Sequence, residues 1–126
     1  MSWRRVAAIG SAAVMLGACS DQGPESAPGS LTAALSSPNG AEGAAVVTLT
    51  GEGIGTTTGV GDVLVFRSDE AVVTTLVLVS PVGGELSVRV MVADTTRPPL
   101  LSVVQVAGPD DELRVLSASY GMEWAR

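Results

Sequence analysis

Histidine and lysine are absent from this chain of 126 residues, cysteine occurs once, and only four residues are aromatic. The absence of histidine excludes Ser-His-Asp and Cys-His catalysis and zinc sites with histidine ligands. The single cysteine, Cys19, excludes an internal disulfide and a cysteine-ligated metal cluster. Because seven arginines stand against 13 acidic residues, the net charge is −6 and we expect no binding to nucleic acid. These absences favour a protein that is not an enzyme and holds no cofactor or metal.

The first 19 residues have the pattern of an export signal. Arg4 and Arg5 form a positive head, an apolar run follows over residues 6–15, and small residues precede Cys19. This order predicts a secretory signal peptide. The apolar run is shorter than the roughly 20 residues that a membrane-spanning helix needs. A short uncleaved anchor is the alternative.

The segment Leu16-Gly17-Ala18-Cys19 resembles the lipobox of bacterial lipoproteins. The resemblance implies that the Cys19 thiol receives a diacylglyceryl group, that residues 1–18 are removed, and that the new amine is often acylated. One fatty chain binds a membrane only marginally, whereas two anchor a protein stably. We therefore expect lipidation at Cys19 and a membrane contact through that lipid. The expected location is the bacterial cell envelope, at the outer membrane or its periplasmic face in a Gram-negative cell. An ordinary signal peptide with an incidental cysteine is the other interpretation.

A spacer is predicted between the lipid and the folded domain. Residues 20–29 contain no large apolar side chain and include two prolines and two glycines, which break regular structure. About ten coil-like residues have a mean reach on the order of 17 Å. We therefore divide the chain into a signal peptide (1–18), a lipidated flexible tether (19–30) and a domain (31–126).

The domain consists of short runs of Val, Leu, Thr and Ser separated by turn residues, which is typical of β-strands. The strands are expected over residues 31–35, 44–50, 54–60, 63–66, 71–79, 86–92, 100–107 and 113–124. Turns are expected at 67–70, 81–84 and 108–111. Residues 71–79 are apolar on both faces, which places them in the middle of a sheet or under a covering layer. A change of phase within residues 100–107 predicts a bulge, and a second change lies between Val115 and Leu116.

Seven or eight strands without a helical segment predict an all-β fold, a single small antiparallel β-sandwich of two sheets. The alternation over residues 86–92 requires one dry and one wet face, which two facing sheets provide. Only Phe66, Tyr120 and Trp124 are large among the core candidates. The interior must therefore be packed mainly with Val and Leu.

From Gly43 to Trp124 the order of elements resembles cohesin and related immunoglobulin-like modules. The shared features are a Gly-Ala-rich entry to a strand, the Gly61-Asp62 turn, the Gly83-Gly84 turn before an alternating strand, and Tyr120 in the last strand. The resemblance implies the sandwich fold, and no binding residue is transferred from it.

The acidic residues are the candidates for chemistry. Asp110-Asp111-Glu112 offers oxygen ligands of the kind that Ca²⁺ takes, but the EF-hand spacing is absent and neighbouring side chains on a turn diverge. We interpret this cluster as a solvated hairpin turn. Asp62, Asp69 and Glu70 are the other candidates for a glycosidase pair, and they too stand at expected turns. We therefore assign no catalytic, cofactor-binding or metal residue.

Two further motifs have a structural interpretation. The glycines of residues 51–55 are similar to those of phosphate-binding loops, but no Lys accompanies them and no helix follows. Tyr120 and Trp124 share one strand phase and offer a platform for sugar stacking. We interpret them as core anchors of the last strand and expect no carbohydrate ligand.

The sequence thus predicts a lipid-anchored envelope protein with a non-catalytic β-sandwich that serves as a binding or structural module. A protein partner in the envelope is expected. One alternative is a small hydrolase, which needs two carboxylates about 5–10 Å apart. The other is an assembly subunit that pairs through an exposed sheet edge.

Overall fold

A computed structural model describes residues 27–125, which form eight β-strands. The strands are β1 (Gly29–Ser36), β2 (Glu42–Thr50), β3 (Ile54–Gly59), β4 (Leu64–Glu70), β5 (Val73–Gly84), β6 (Ser87–Val92), β7 (Leu100–Ala107) and β8 (Gly121–Trp124). They build two antiparallel sheets in the orders β3-β6-β1-β8 and β4-β5-β2-β7. The predicted two-sheet β-sandwich is confirmed.

The amino-terminal predictions fall largely outside the described residues. The signal peptide, the lipidation site Cys19 and the tether up to residue 26 all precede Ala27. Strand β1 starts at Gly29, which pairs with Val92, so the last two residues assigned to the tether belong to the sandwich. Among residues 27–125, no helix has the length and apolar character needed to cross a membrane.

The core lies between the two sheets and is built from alternate residues of their inner faces. On β6 the buried apolar residues are Val88, Val90 and Val92, and on β2 they include Val47 and Leu49. Valine and leucine fill the interior as expected. Phe66 does not belong to it: this side chain is 58% exposed on the outer face of β4, because its partner Val77 also faces outward. The expectation that Phe66 packs in the core was wrong.

Two predictions for the sheet β4-β5-β2-β7 are confirmed. Strand β5 lies in the interior of the sheet, between β4 and β2. Strand β7 carries the predicted bulge. Val46 pairs with Gln105 and Val47 with Val103, which leaves Val104 as the additional residue.

Two expected turns are instead continuous strand. Residues 67–70 complete β4, and residues 81–84 complete β5, where Gly84 pairs with Glu42. Strand β4 lies at the edge of its sheet, and edge strands tolerate charged residues that otherwise signal a turn. The hairpin between β4 and β5 is closed by Ala71 and Val72 alone, since Glu70 pairs with Val73.

The last predicted strand, over residues 113–124, is mostly irregular. Only Gly121–Trp124 forms a strand, and Leu113 makes a single bridge with Ala107. The Tyr120 N–H donates to the Ser117 carbonyl oxygen in a turn. Side-chain bonds to Glu42 hold this segment against the body of the domain, so it does not need a continuous strand ladder.

The neighbours of strands β2 to β6 can be compared with the strand order of a two-sheet immunoglobulin domain. In a constant-type immunoglobulin domain, strands A-B-E-D form one sheet and strands C-F-G the other. Here β4-β5-β2 corresponds to D-E-B and β3-β6 to C-F. The outer strands differ, because β7 lies beside β2 in the place of A and β1 lies beside β6 in the place of G. The central arrangement is therefore shared, and the flanking strands are exchanged.

Candidate functional site

Glu42, at the start of β2, is a buried carboxylate with three side-chain partners. Only 1% of the residue is exposed. Its Oε1 atom accepts from the Arg114 guanidinium at 3.0 Å, and its Oε2 atom accepts from the Ser37 hydroxyl at 2.5 Å and the Tyr120 hydroxyl at 2.9 Å. The Tyr120 oxygen also accepts from the Asn39 amide at 2.6 Å. Both carboxylate oxygens are thus engaged by the protein itself.

These partners favour the charged form of Glu42. Burial raises the pKa of this carboxyl, but the hydrogen bonds from Ser37, Tyr120 and Arg114 and the charge of Arg114 outweigh it, so the pKa lies below its ordinary value. The carboxylate in turn raises the pKa of Arg114. The cluster fastens the irregular segment to β2 and to the loop after β1, which is a structural role.

Arg67 makes a second polar contact, between the edges of the two sheets. Its guanidinium donates to the backbone carbonyl oxygens of Ile54, at 3.2 Å, and of Gly55 on β3. It also pairs with Asp69 at 3.0 Å, and Asp69 accepts from the Thr74 hydroxyl at 2.7 Å. The hydrogen bond from Arg67, and after it the bond from Thr74, lowers the pKa of Asp69 below its ordinary value. Arg67 thus donates hydrogen bonds to two backbone carbonyl groups of the edge strand β3.

The acidic residues weighed for catalysis or metal binding belong to three separate segments: the turn before β4, the end of β4 with Asp69 and Glu70, and the turn after β7. Asp62 is in the exposed turn before β4, and Asp69 is bound to Arg67. Residues 110–112 form a tight exposed turn in which the Gly108 N–H donates to the Glu112 carbonyl at 2.9 Å. Among the described residues, no group of three or more Cys, Asp or Glu side chains is arranged to hold a metal ion.

The remaining motifs also have structural positions. The glycines of residues 51–55 connect β2 to β3, and a strand rather than a helix follows them. Tyr120 and Trp124 are half-buried and pack against the core. Tyr120 does so from the irregular segment, not from β8. The Trp124 indole N–H donates to the Pro99 carbonyl oxygen at 3.0 Å, beside a cleft of about 620 Å³.

An apolar surface that the sequence analysis did not identify crosses the outer face of the sheet β4-β5-β2-β7. Inter-strand pairing aligns one row of outward side chains across the sheet and onto the segment that follows β7. The row is Leu64, Val79, Ala44, Ala107 and Leu113. A second row beside it contains Phe66, Val77 and Val46 and ends at the polar Gln105 on β7. The eight apolar residues of the two rows are named the apolar band.

The apolar band is accessible to solvent and lower in the middle than at its ends. Leu64, Phe66 and Leu113 are each at least half exposed. Between them Ala44 and Ala107 have short side chains, and a depression of about 150 Å³ lies beside these alanines and Leu113. The next row of the same face is polar and consists of Ser68, Thr75, Thr48 and Ser102. Contiguous exposed apolar surface with a polar border is typical of an interaction site.

The apolar band lies in the half of the sandwich opposite to the entry of the chain, and its second row crosses β2 at the middle of that strand, at Val46. Strand β1 begins at Gly29, beside Val92, and we name this end of the sandwich the tether end. The strand finishes at Ser36, beside Gly121, and this opposite end is named the far end. Ser37 bonds Glu42, so β2 begins at the far end. The row from Leu64 to Leu113 crosses β2 at Ala44, which is two residues after Glu42. It therefore lies close to the far end.

Comparison of the chain with models of protein families, with curated proteins and with solved structures finds no match.

Proposed function

We propose that this protein is a lipid-anchored component of a bacterial envelope whose β-sandwich is a non-catalytic binding module of the immunoglobulin- or cohesin-like kind. The observation that supports a binding role is the apolar band. Leu64, Phe66 and Leu113 are exposed within one band, and contiguous exposed apolar surface is typical of interaction sites. The strand order supports the immunoglobulin-like assignment.

The position of the apolar band suits a protein anchored through Cys19. The tether would join the sandwich at Gly29, and β1 alone extends about 26 Å, from eight residues at about 3.3 Å each. The far end would thus stand well clear of the lipid head groups. Its acidic residues would also be held away from anionic lipid.

Two of the four edge strands, β3 and β7, are poorly suited to pairing with another strand, which favours face binding over edge pairing there. The edge of β3 has two of its carbonyl groups occupied by Arg67. The outer edge of β7 is interrupted by the bulge at Val104 and is bridged by Leu113. Bulges and inward-pointing charges are devices that prevent strands from adding to a sheet.

Lipidation is tested by expressing the full chain and its Cys19→Ala variant in a Gram-negative bacterium with radiolabelled palmitate. We expect label and membrane fractionation for the wild type, loss of both in Cys19→Ala, and accumulation of the precursor under globomycin. Two chains should make the membrane association stable to a salt wash. A labelled, membrane-bound Cys19→Ala protein would contradict the proposed anchor.

A further inference from the structure

The surroundings of the apolar band carry charge of one sign. Asp62 lies two residues before Leu64 at one end of the band, and the turn over residues 110–112 lies between Ala107 and Leu113 at the other. All four of these acidic residues are exposed. Each end of the band is therefore bordered by carboxylates.

Positive charge is scarce near the band. Residues 27–125 contain four arginines. Arg114, at the far end, is paired with the buried Glu42, and Arg67 is paired with Asp69. Arg89 is on β6 in the other sheet, and Arg97 lies in a turn that follows β6 at the tether end. Arg114 also lies near enough to Asp110 to feel its charge, but within residues 27–125 neither Asp62 nor residues 110–112 form an ion pair.

From this complementarity we propose that the apolar band binds a protein segment in which apolar side chains lie between basic residues. The inference rests on the proposed binding role and specifies its partner. The five aligned strand positions span four inter-strand spacings, about 19 Å at roughly 4.8 Å each. A helical segment of about 13 residues covers that length. The Lys or Arg residues at one end of this segment face Asp62, and those at the other end face residues 110–112.

A second copy of this chain fits the surface less well. Two apolar bands brought face to face would also bring their acidic borders together, and like charges across an interface are unfavourable. The chain is strongly acidic overall, with a net charge of −6. A cationic partner gains from the same charges that repel a second copy.

The test is a titration of the full chain in phosphatidylcholine nanodiscs, with empty nanodiscs as the blank. Three fluorescent helical 14-residue peptides serve as probes. The first has Leu along the middle of one face and Lys at both ends of that face, the second replaces every Lys with Glu, and the third replaces every Leu with Ser. We expect measurable binding of the first peptide only, weakened by raising the salt concentration.

Matched variants locate the binding. Phe66→Ser with Leu113→Ser should weaken affinity at least about tenfold, and Asp110→Asn with Asp111→Asn about fivefold with a smaller salt dependence. Met91→Ser is the control for the first pair, because Met91 is an exposed apolar residue of the other sheet. Glu52→Gln is the control for the second. Circular dichroism checks that every variant keeps its fold.

Several results would overturn the inference: no binding of the Leu-Lys peptide, equal binding of the Ser-Lys peptide, or no effect of the Phe66 and Leu113 substitutions. The inference would also be overturned if the protein alone formed a dimer that the Phe66→Ser substitution dissociates. Binding to phosphatidylcholine vesicles that the substitutions in the apolar band abolish would overturn it as well. The same titration is repeated in buffer with the Cys19→Ala variant, so that its result does not depend on the anchor. Failure of the anchor and failure of the docking surface are thereby separated.

Discussion

At the residue scale, Glu42 is a buried carboxylate held by three side chains of the sandwich. A buried carboxylate is costly unless it is paired and hydrogen-bonded. Here Ser37 and Tyr120 donate to one oxygen and Arg114 to the other. Gly108 leaves room for this arrangement, because a Cβ atom at that position would collide with the Arg114 guanidinium. The cluster holds a long irregular segment without a strand ladder.

Glu42→Gln should lower the free energy of unfolding at neutral pH by about 2–3 kcal/mol, because it removes a charge from the Arg114 pair and unbalances the donors. The pKa of Glu42 lies below its ordinary value of 4.5 in the folded state. Its contribution is therefore complete above the unfolded-state pKa and is lost as pH falls through the folded-state pKa. Urea denaturation at pH 7 and across pH 5 to 3 measures both effects.

The exposed Glu52 supplies the control for this prediction. Glu52→Gln should leave stability at pH 7 within about 0.5 kcal/mol of the wild type. Asp69 and Asp94 also have lowered pKa values, so the wild type has other contributions to its acid dependence. The Glu42 contribution is the difference between wild type and variant. An unchanged difference from pH 5 to 3 would contradict the assigned role.

Residue-scale features were the hardest to predict from the sequence. Burial of Glu42 depends on partners at positions 37, 114 and 120, and no local pattern brings these together. The exposure of Phe66 has a similar cause, since the facing direction of β4 is set by its register with β5. A single aromatic residue in a short apolar run carries no information on that register.

At the element scale, the β4–β5 hairpin contains a strained position. Ala71 has a φ of 54°, in the left-handed region, where an L-residue other than Gly or Asn is disfavoured by about 1–2 kcal/mol. Ala71→Gly relieves this strain but increases the entropy of the unfolded chain. We predict a net stabilisation of about 0.5 kcal/mol, seen as a rise in Tm of about 3 °C by circular dichroism.

Gly61 allows the opposite substitution as a control. It has a φ of 66°, and a Cβ atom built there meets no atom within 4 Å. Gly61→Ala therefore introduces backbone strain without a clash and should lower Tm. If both substitutions moved Tm in the same direction, backbone conformation would not be the cause.

Strands with a regular alternation of apolar and polar residues could be predicted from the sequence. Segments fixed by side-chain hydrogen bonds could not. The bounds of β7 agree with those predicted, and its bulge was visible as a change of phase in the apolar pattern. Residues 113–124 showed a similar change of phase, but there it marks a segment held by Arg114 and Tyr120. Apolar periodicity cannot distinguish a bulged strand from an irregular segment fixed by distant hydrogen bonds.

At the scale of the whole molecule, the sandwich has two different ends. The chain enters at the tether end, beside Val92, whereas the apolar band and its acidic borders lie toward the far end. The sequence indicated the apolar character of residues 71–79 on both faces. It did not show that the outer face of β5 joins Leu64, Ala44 and Leu113 in one surface, because that depends on the pairing of β2 with both β5 and β7.

The most direct measurement of the binding role is site-specific photocrosslinking in living cells. A photoreactive phenylalanine derivative replaces Phe66 in the apolar band, and Met91 on the outer face of the other sheet in a matched control. Because a partner that covers the apolar band must contact Phe66, we predict a discrete protein adduct at position 66 and none at position 91. Absence of an adduct at position 66, or adducts of equal yield at both positions, would contradict the account.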